Sequence, residues 1–135
     1  MYSDKVIDHF MSPRNAHTMP DADAEGSVGD PACGDCLVIY LKVKNQRIDD
    51  ISYLVFGCCG AIATASMTSV LAKGKTLDQA LKITEEDIVE ALDGLPESKI
   101  HCSLLGVQAL HLAIKNYRES ESMKRGMNHE NSHTG

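Results

Sequence analysis

The sequence predicts a small α+β domain, a three-stranded antiparallel sheet with helices packed on one face, and three observations carry that expectation. Residues 36 to 44 alternate, with Leu37, Ile39, Leu41 and Val43 on one face and Cys36, Val38, Tyr40, Lys42 and Lys44 on the other, which is the period of a half-buried strand. After the polar break Lys44-Asn45-Gln46-Arg47, of hairpin length, Ile48 to Phe56 is again rich in β-branched and aromatic residues, so the two runs pair antiparallel. Beyond Gly60 the pattern changes to small residues and helix formers. A helix, then strands, then a run of helices is the order of an α+β sandwich.

Taken in order, Tyr2 to Met11 places Val6, Ile7 and Phe10 at helical spacing, with Ser3 as N-cap and Pro13 as a stop. Ser12 to Gly29 is rich in Pro, Asn, Asp, Ala and Gly and reads as an extended surface connection, and Gly26 to Ala32 contains a short edge strand. After the hairpin, Ala61 to Lys73 is helical and Gly74 stops it. Thr76 and Thr84 are N-caps of two short helices, and Thr84-Glu85-Glu86-Asp87 has the form of a capping box with acidic residues in the first turn. Gly94 and Pro96 break the chain, and a last long helix runs from about Ser98 to Tyr117 with Leu104, Leu105, Ala109, Leu112 and Ala113 at core spacing. Residues 1 to 118 form one domain on this reading. The tail from Glu119 to Gly135 has no large apolar residue except Met123 and Met127 and is expected to be disordered.

A chain of 135 residues is long enough to bury a core without disulfide staples. Its 24% charged and 43% hydrophobic residues are those of a soluble globular protein. The net charge of -6 argues against binding nucleic acid through phosphate neutralisation. Asp4, Lys5 and Asp8 interrupt any signal-peptide core, and the longest apolar run, Leu37 to Leu41, is too short to cross a bilayer, so the expectation is a cytoplasmic protein without a membrane partner. In that compartment five cysteines, an odd count, read as free thiols, metal ligands or catalytic groups rather than as a disulfide framework.

The chemistry gathers in three stretches. Gly29-Asp30-Pro31-Ala32-Cys33-Gly34-Asp35 sets a thiol and a carboxylate two positions apart in a turn-forming run, Phe56-Gly57-Cys58-Cys59-Gly60 supplies thiols after a strand, and Lys99-Ile100-His101-Cys102-Ser103 supplies another with an imidazole beside it. Hairpin pairing returns Gly57-Cys58 to the end of the sheet where Cys33 and Asp35 stand. Together they make a ligand set for a soft metal or a small iron-sulfur cluster, since thiolate suits zinc, copper(I) and iron-sulfur centres. Carboxylate is a harder and weaker partner for cluster iron, so Asp35 would make the site labile; its plainer role is a turn residue bonding its own backbone. Cys102 sits near a helix start, where the dipole favours thiolate.

Cys33-Gly34-Asp35-Cys36 has the spacing of a thioredoxin-type pair, but such a pair opens a helix and here a strand follows, so Cys36 reads as a small half-buried strand residue. Of the adjacent Cys58 and Cys59, one is a bystander. His101 is free to ligate metal, shuttle a proton or cap the helix, whereas His9, His17, His111, His129 and His133 have no such neighbours and read as surface residues.

These residues resemble the IscU/NifU-type iron-sulfur cluster assembly scaffolds. Tyr2-Ser3-Asp4-Lys5-Val6-Ile7-Asp8-His9-Phe10 with Pro13-Arg14-Asn15 is similar to the family's opening, Gly29 to Asp35 to its first cysteine motif, Phe56-Gly57-Cys58 with Ala61-Ile62-Ala63 to its second, and His101-Cys102-Ser103 to its third. The resemblance covers about residues 1 to 118 in order. It implies that Cys33, Cys58 and Cys102 are cluster ligands, with Asp35 and His101 at the fourth-ligand and release-controlling positions, and that Lys99 falls where the family usually has lysine. It implies a scaffold and carrier rather than an enzyme, which takes persulfide sulfur from a cysteine desulfurase, gathers iron, builds a 2Fe-2S cluster and passes it to apo-protein acceptors. Some members bind zinc in the same site.

Two departures stand out. Leu95-Pro96-Glu97-Ser98-Lys99 replaces the Leu-Pro-Pro-Val-Lys segment read by a dedicated Hsp70-type chaperone, so that partner is not implied. Cys59 stands where the family usually has a small residue without a thiol, and is free to accept sulfur, to exchange with Cys58 as ligand, or to do neither. The expectation is a stand-alone scaffold domain, a monomer or weak homodimer, with Cys102 as persulfide acceptor. The alternatives from other classes are a structural zinc-binding interaction module using the same cysteines and a thiol oxidoreductase using Cys33 and Cys36.

Overall fold

Ser3 opens the first helix from an extended backbone, its side chain accepting from Val6 N at 3.1 Å, and α1 spans Asp4–Met11. The same hydroxyl donates to the Leu92 carbonyl, which ties the amino end of the chain to the far side of the domain. The structure, a computed structural model, describes the backbone of residues 2–30 and 35–134 and the side chains of residues 2–29 and 35–123.

Three strands follow, β1 Ala24–Asp30, β2 Asp35–Lys44 and β3 Arg47–Phe56, antiparallel in the order β1-β2-β3. The alternation in β2 is realised: Leu37, Ile39 and Leu41 are buried, while Cys36 on the other face is exposed rather than half-buried. Asn45 and Gln46 turn the hairpin with φ of 54° and 62°, the left-handed pair that matches strand twist. The register pairs Cys36 with Phe56 and Leu37 with Val55, so Asp35 lies at the sheet end where β3 runs into Gly57. β1 is an edge strand as expected, although it begins at Ala24, two residues before Gly26.

The helices are α2 Cys59–Ala72, α3 Leu77–Leu81, α4 Glu85–Ala91 and α5 His101–Thr134, with a 3-10 turn Glu97–Lys99 before the last. Both threonine caps form complete capping boxes, Thr76 with Gln79 and Thr84 with Asp87. α5 lies across β1 and β2, α2 lies against β3, and α1 packs on α2, so the sheet is covered on one face. α5 carries its buried stripe through Ala113 and Ile114 and leaves the core near Tyr117; residues 119–123 continue the helix, where composition predicts an unordered tail. Among the described residues no helix is long and apolar enough to cross a membrane.

Close packing of α5 is set by glycines. A Cβ on Gly26 would stand 2.5 Å from both Ala109 O and Ala113 N, and one on Gly106 2.5 Å from Thr68 Oγ1, so α5 rests backbone to backbone on β1 and presses into α2. α2 answers with small residues, Ala61, Ala63, Ala65, Ser66, Thr68, Ser69 and Ala72 all being buried.

The first helix corrects the stripe read from its sequence. Val6 is buried, but its companion inside is His9 at 7% exposure, and Ile7 and Phe10 face outward. The reason lies in the partner surface: α2 presents Ser66, whose hydroxyl shares a 2.7 Å hydrogen bond with His9 Nδ1 and accepts from Arg14 N at 3.0 Å. His9 therefore is not a surface residue, whereas His17 is exposed, His111 is half-buried, and His129 and His133 lie outside the described side chains.

Burial, and then the Arg14 guanidinium, hold the His9 imidazole below its ordinary pKa, with Asp8 acting weakly in the other direction. A histidine kept neutral in the folded state contributes stability above the unfolded pKa of about 6.5 and loses it as pH falls below that value. Thermal midpoints measured from pH 7.5 to 5.5 are expected to fall more steeply for the wild-type chain than for His9→Gln. Parallel slopes would remove His9 from this role.

Candidate metal centre

The site forms where three elements end together. Asp35 is the first residue of β2, Cys58 is the N-cap of α2 directly after β3 and Gly57, and Cys102 is the second residue of α5. Cys102 Sγ lies 3.8 Å from Cys58 Sγ and 4.0 Å from Asp35 Oδ2. One ligand atom from each of the three residues fits within a span of 4.8 Å. Two thiolates on one tetrahedral ion, each about 2.3 Å from it, stand about 3.8 Å apart, so the two sulfurs hold a ligand spacing.

The placement depends on Gly57. A Cβ there would fall 2.4 Å from Asp35 Oδ1, 2.9 Å from its Cγ and 3.0 Å from Ala61 Cβ, so a side chain at 57 and the carboxylate of Asp35 exclude each other. Asp35 is thereby buried against the end of β3 and is more than an exposed turn residue.

The electrostatics are those of crowded negative charge. Burial first, then the charge of Cys58, a hydrogen bond with Cys58 and the charge of Asp35, push the Cys102 thiol up to about 12, against the opposing effect of Lys99. The expectation that a helix start favours Cys102 thiolate is thus reversed: at 1% exposure, desolvation and like charge outweigh the dipole. Cys59 is also raised, by burial and by Cys58. Lys99 is held above its usual range, chiefly by the negative charge of Cys58 and then by Tyr2, Cys102 and Asp35. The amino end of α2 meets the same space, with no side-chain cap at Cys58 and no acidic residue in its first turn.

His101 is outside the trio but keeps Nε2 3.7 Å from Cys102 Sγ. Cys59 is half-buried and packs against the core, and Cys36 is exposed near the start of the central strand rather than at a helix start. Cys33 lies outside the described residues. Sequence reasoning missed Gly57 and Gly60, although the Gly-Cys-Cys-Gly run carried the signal, and it missed Tyr2, whose hydroxyl is raised by burial and then by Cys59 and Cys58 and whose sequence carried no signal for this placement.

The fold and site together define a small α+β domain that gathers two thiols and a carboxylate at a spacing a soft metal would fit. Residues 1–124 match the NifU-like N terminal domain, and the chain belongs to that family. It is 56% identical over 117 residues to a protein of Archaeoglobus fulgidus named iron-sulfur cluster assembly scaffold protein IscU 1, covering 87% of this chain and 76% of that one. It is 48% identical over 118 residues to the iron-sulfur cluster assembly scaffold protein IscU of Aquifex aeolicus, covering 86% and 75%. The crystal structure of a NifU-like protein (N-terminal) from Brucella abortus shares the fold with a TM-score of 0.69 at 18% identity, covering 87% of this chain and 94% of that one.

Gly57→Ala is expected to lower the unfolding free energy by about 1–3 kcal/mol, the usual range for overpacking. In an Asp35→Ala background the same substitution is expected to lose less, because the overlapping carboxylate is gone. Denaturant titrations of the four proteins test this coupling, and strictly additive losses would show that Gly57 and Asp35 do not meet.

Proposed function

We propose that the protein is a scaffold on which a 2Fe-2S cluster is assembled and from which it is passed to apo-proteins. The observation that carries this reading is the convergence of Asp35, Cys58 and Cys102 within 4.8 Å at the rim of a domain whose relatives are named as iron-sulfur cluster assembly scaffolds. The cluster is cargo. Cys58 and Cys102 supply thiolates, Cys33, two positions before Asp35 in the sequence, supplies a third, and Asp35 and His101 share the fourth position. A hard carboxylate among soft thiolates weakens the hold on iron, which suits a site that must release what it builds.

Sulfur arrives as a persulfide on a cysteine desulfurase, and Cys102 accepts it. Its thiolate attacks the outer sulfur, a new S–S bond forms on Cys102, and the donor cysteine leaves as thiolate. Burial and like charge push the Cys102 thiol up, so iron bound first would free its proton, since a coordinating thiol is deprotonated. Lys99 offsets the negative charge that accumulates. The protein acts in the cytoplasm as a monomer or weak homodimer. A zinc ion fits the same donors, but a structural module that merely closes a tetrahedral site gains no support from the names of the relatives.

Incubation of the iron-loaded protein with a desulfurase and cysteine is expected to add the mass of one sulfur atom to wild type and to Cys59→Ser, and none to Cys102→Ser. Retention of that mass in Cys102→Ser and its loss in Cys59→Ser would move the acceptor role to Cys59.

Asp35→Ala is expected to lengthen the lifetime of the reconstituted cluster severalfold. The decay of visible absorbance under anaerobic conditions measures it, and a faster decay than wild type would overturn the role given to the carboxylate.

A further inference from the structure

Between α4 and the start of α5 the surface opens into a groove lined by Glu85, Glu86, Val89, Glu90 and Ile100. Part of that lining is apolar and within reach of solvent: Val89 is half-buried, Ile100 is 40% exposed, and Leu104, one turn further along, is 41% exposed. The three carboxylates are exposed, and none of them forms an ion pair with a described residue. Glu85 and Glu86 belong to the first turn of α4, where the helix dipole favours negative charge. Glu90 lacks that reason. It stands one residue from the end of α4, where the dipole favours a cation and the last turn holds no basic residue. An apolar lining edged by carboxylates fits an apolar segment that carries positive charge.

The chain itself contains such a segment. In Met123-Lys124-Arg125-Gly126-Met127 two methionines stand four residues apart, about one helical turn, and the two cations follow the first of them. Lys124 and Arg125 are the only lysine and arginine beyond Arg118. α5 continues through this segment after leaving the core near Tyr117, and Met123 is 69% exposed. The segment cannot reach the groove of its own chain. Met123 lies 23 residues beyond Ile100, about 35 Å along a helix that rises 1.5 Å per residue. A second copy meets the geometry, because groove and segment lie at opposite ends of one helix. When two α5 helices run antiparallel about a two-fold axis, the end of each lies beside the start of the other, and one symmetric contact fills both grooves.

We propose that the segment 123–127 of one copy occupies the groove between α4 and Ile100 of a second copy, giving a reciprocal dimer with antiparallel α5 helices. The segment brings two thioethers to the apolar lining and two cations to the glutamates. The contact falls two residues from Cys102 of the copy that receives it. This goes beyond the scaffold reading and does not depend on it.

The test is sedimentation equilibrium of the full chain in three forms besides wild type: Glu86→Lys with Glu90→Lys, Lys124→Glu with Arg125→Glu, and all four substitutions together. Wild type is expected to dimerise with a dissociation constant below about 1 mM. Each pair of reversals is expected to raise that constant about tenfold or more, because it sets like charges against each other, and the four together to return it to within about threefold of wild type. A chain ending at Ser122, with every groove residue intact, is expected to be monomeric. A wild-type protein that stays monomeric at about 1 mM would overturn the proposal and leave the groove to a different protein. So would a dimer that survives both reversals or the removal of residues 123–135, which would place its interface elsewhere, or a fourfold variant no tighter than the two reversals.

Discussion

The contact between α5 and the sheet at Gly26 is the constraint from which the site follows. With the helix backbone lying on the strand backbone at Ala109 and Ala113, and with Gly106 pressed on Thr64 and Thr68, α5 can slide along neither β1 nor α2. Cys102 lies seven residues before Ala109, about 10 Å along the axis at 1.5 Å per residue. Its height relative to Asp35 and Cys58 is therefore set far from the metal. Side chains at these glycines would lift α5 by more than the few tenths of an ångström that ligand spacing allows.

Much of this architecture was legible because local and global signals agree. The alternation of residues 36 to 44 survives in the burial of Leu37, Ile39 and Leu41, and Thr76 and Thr84 cap the helices they precede. The errors fall where an element has two apolar faces or a polar partner. α1 offers Val6, Ile7 and Phe10, but which of them turns inward depends on α2, and α2 meets α1 with hydroxyls that prefer His9. In α5 the same ambiguity leaves Leu104 outside while Leu105 and Val107 are in. α2 itself has no stripe to read, since it is enclosed by α1, β3 and α5 and is buried on nearly every side.

The site was legible as a set of residue types and not as an environment. Hairpin pairing alone brings Asp35 beside Cys58, and the register confirms it. The protonation of Cys102 was misread, because a helix start was weighed without the burial that accompanies it. Glycine carries no chemistry of its own, so the Gly-Cys-Cys-Gly run signals a close approach without saying that a Cβ at Gly57 would meet Asp35.

Burial and charge in the site act together on what can bind there. Asp35, Cys58 and Cys102 converge within the field of Lys99, and withdrawal from water pushes the Cys102 thiol toward its protonated form. A metal cation entering there would add positive charge and displace that proton, so its affinity would rise with pH. The competition is between protons and cation for sulfur already held at bonding distance. The fold's contribution is spent in advance, in the close contacts of α5 that set the spacing of the ligand atoms.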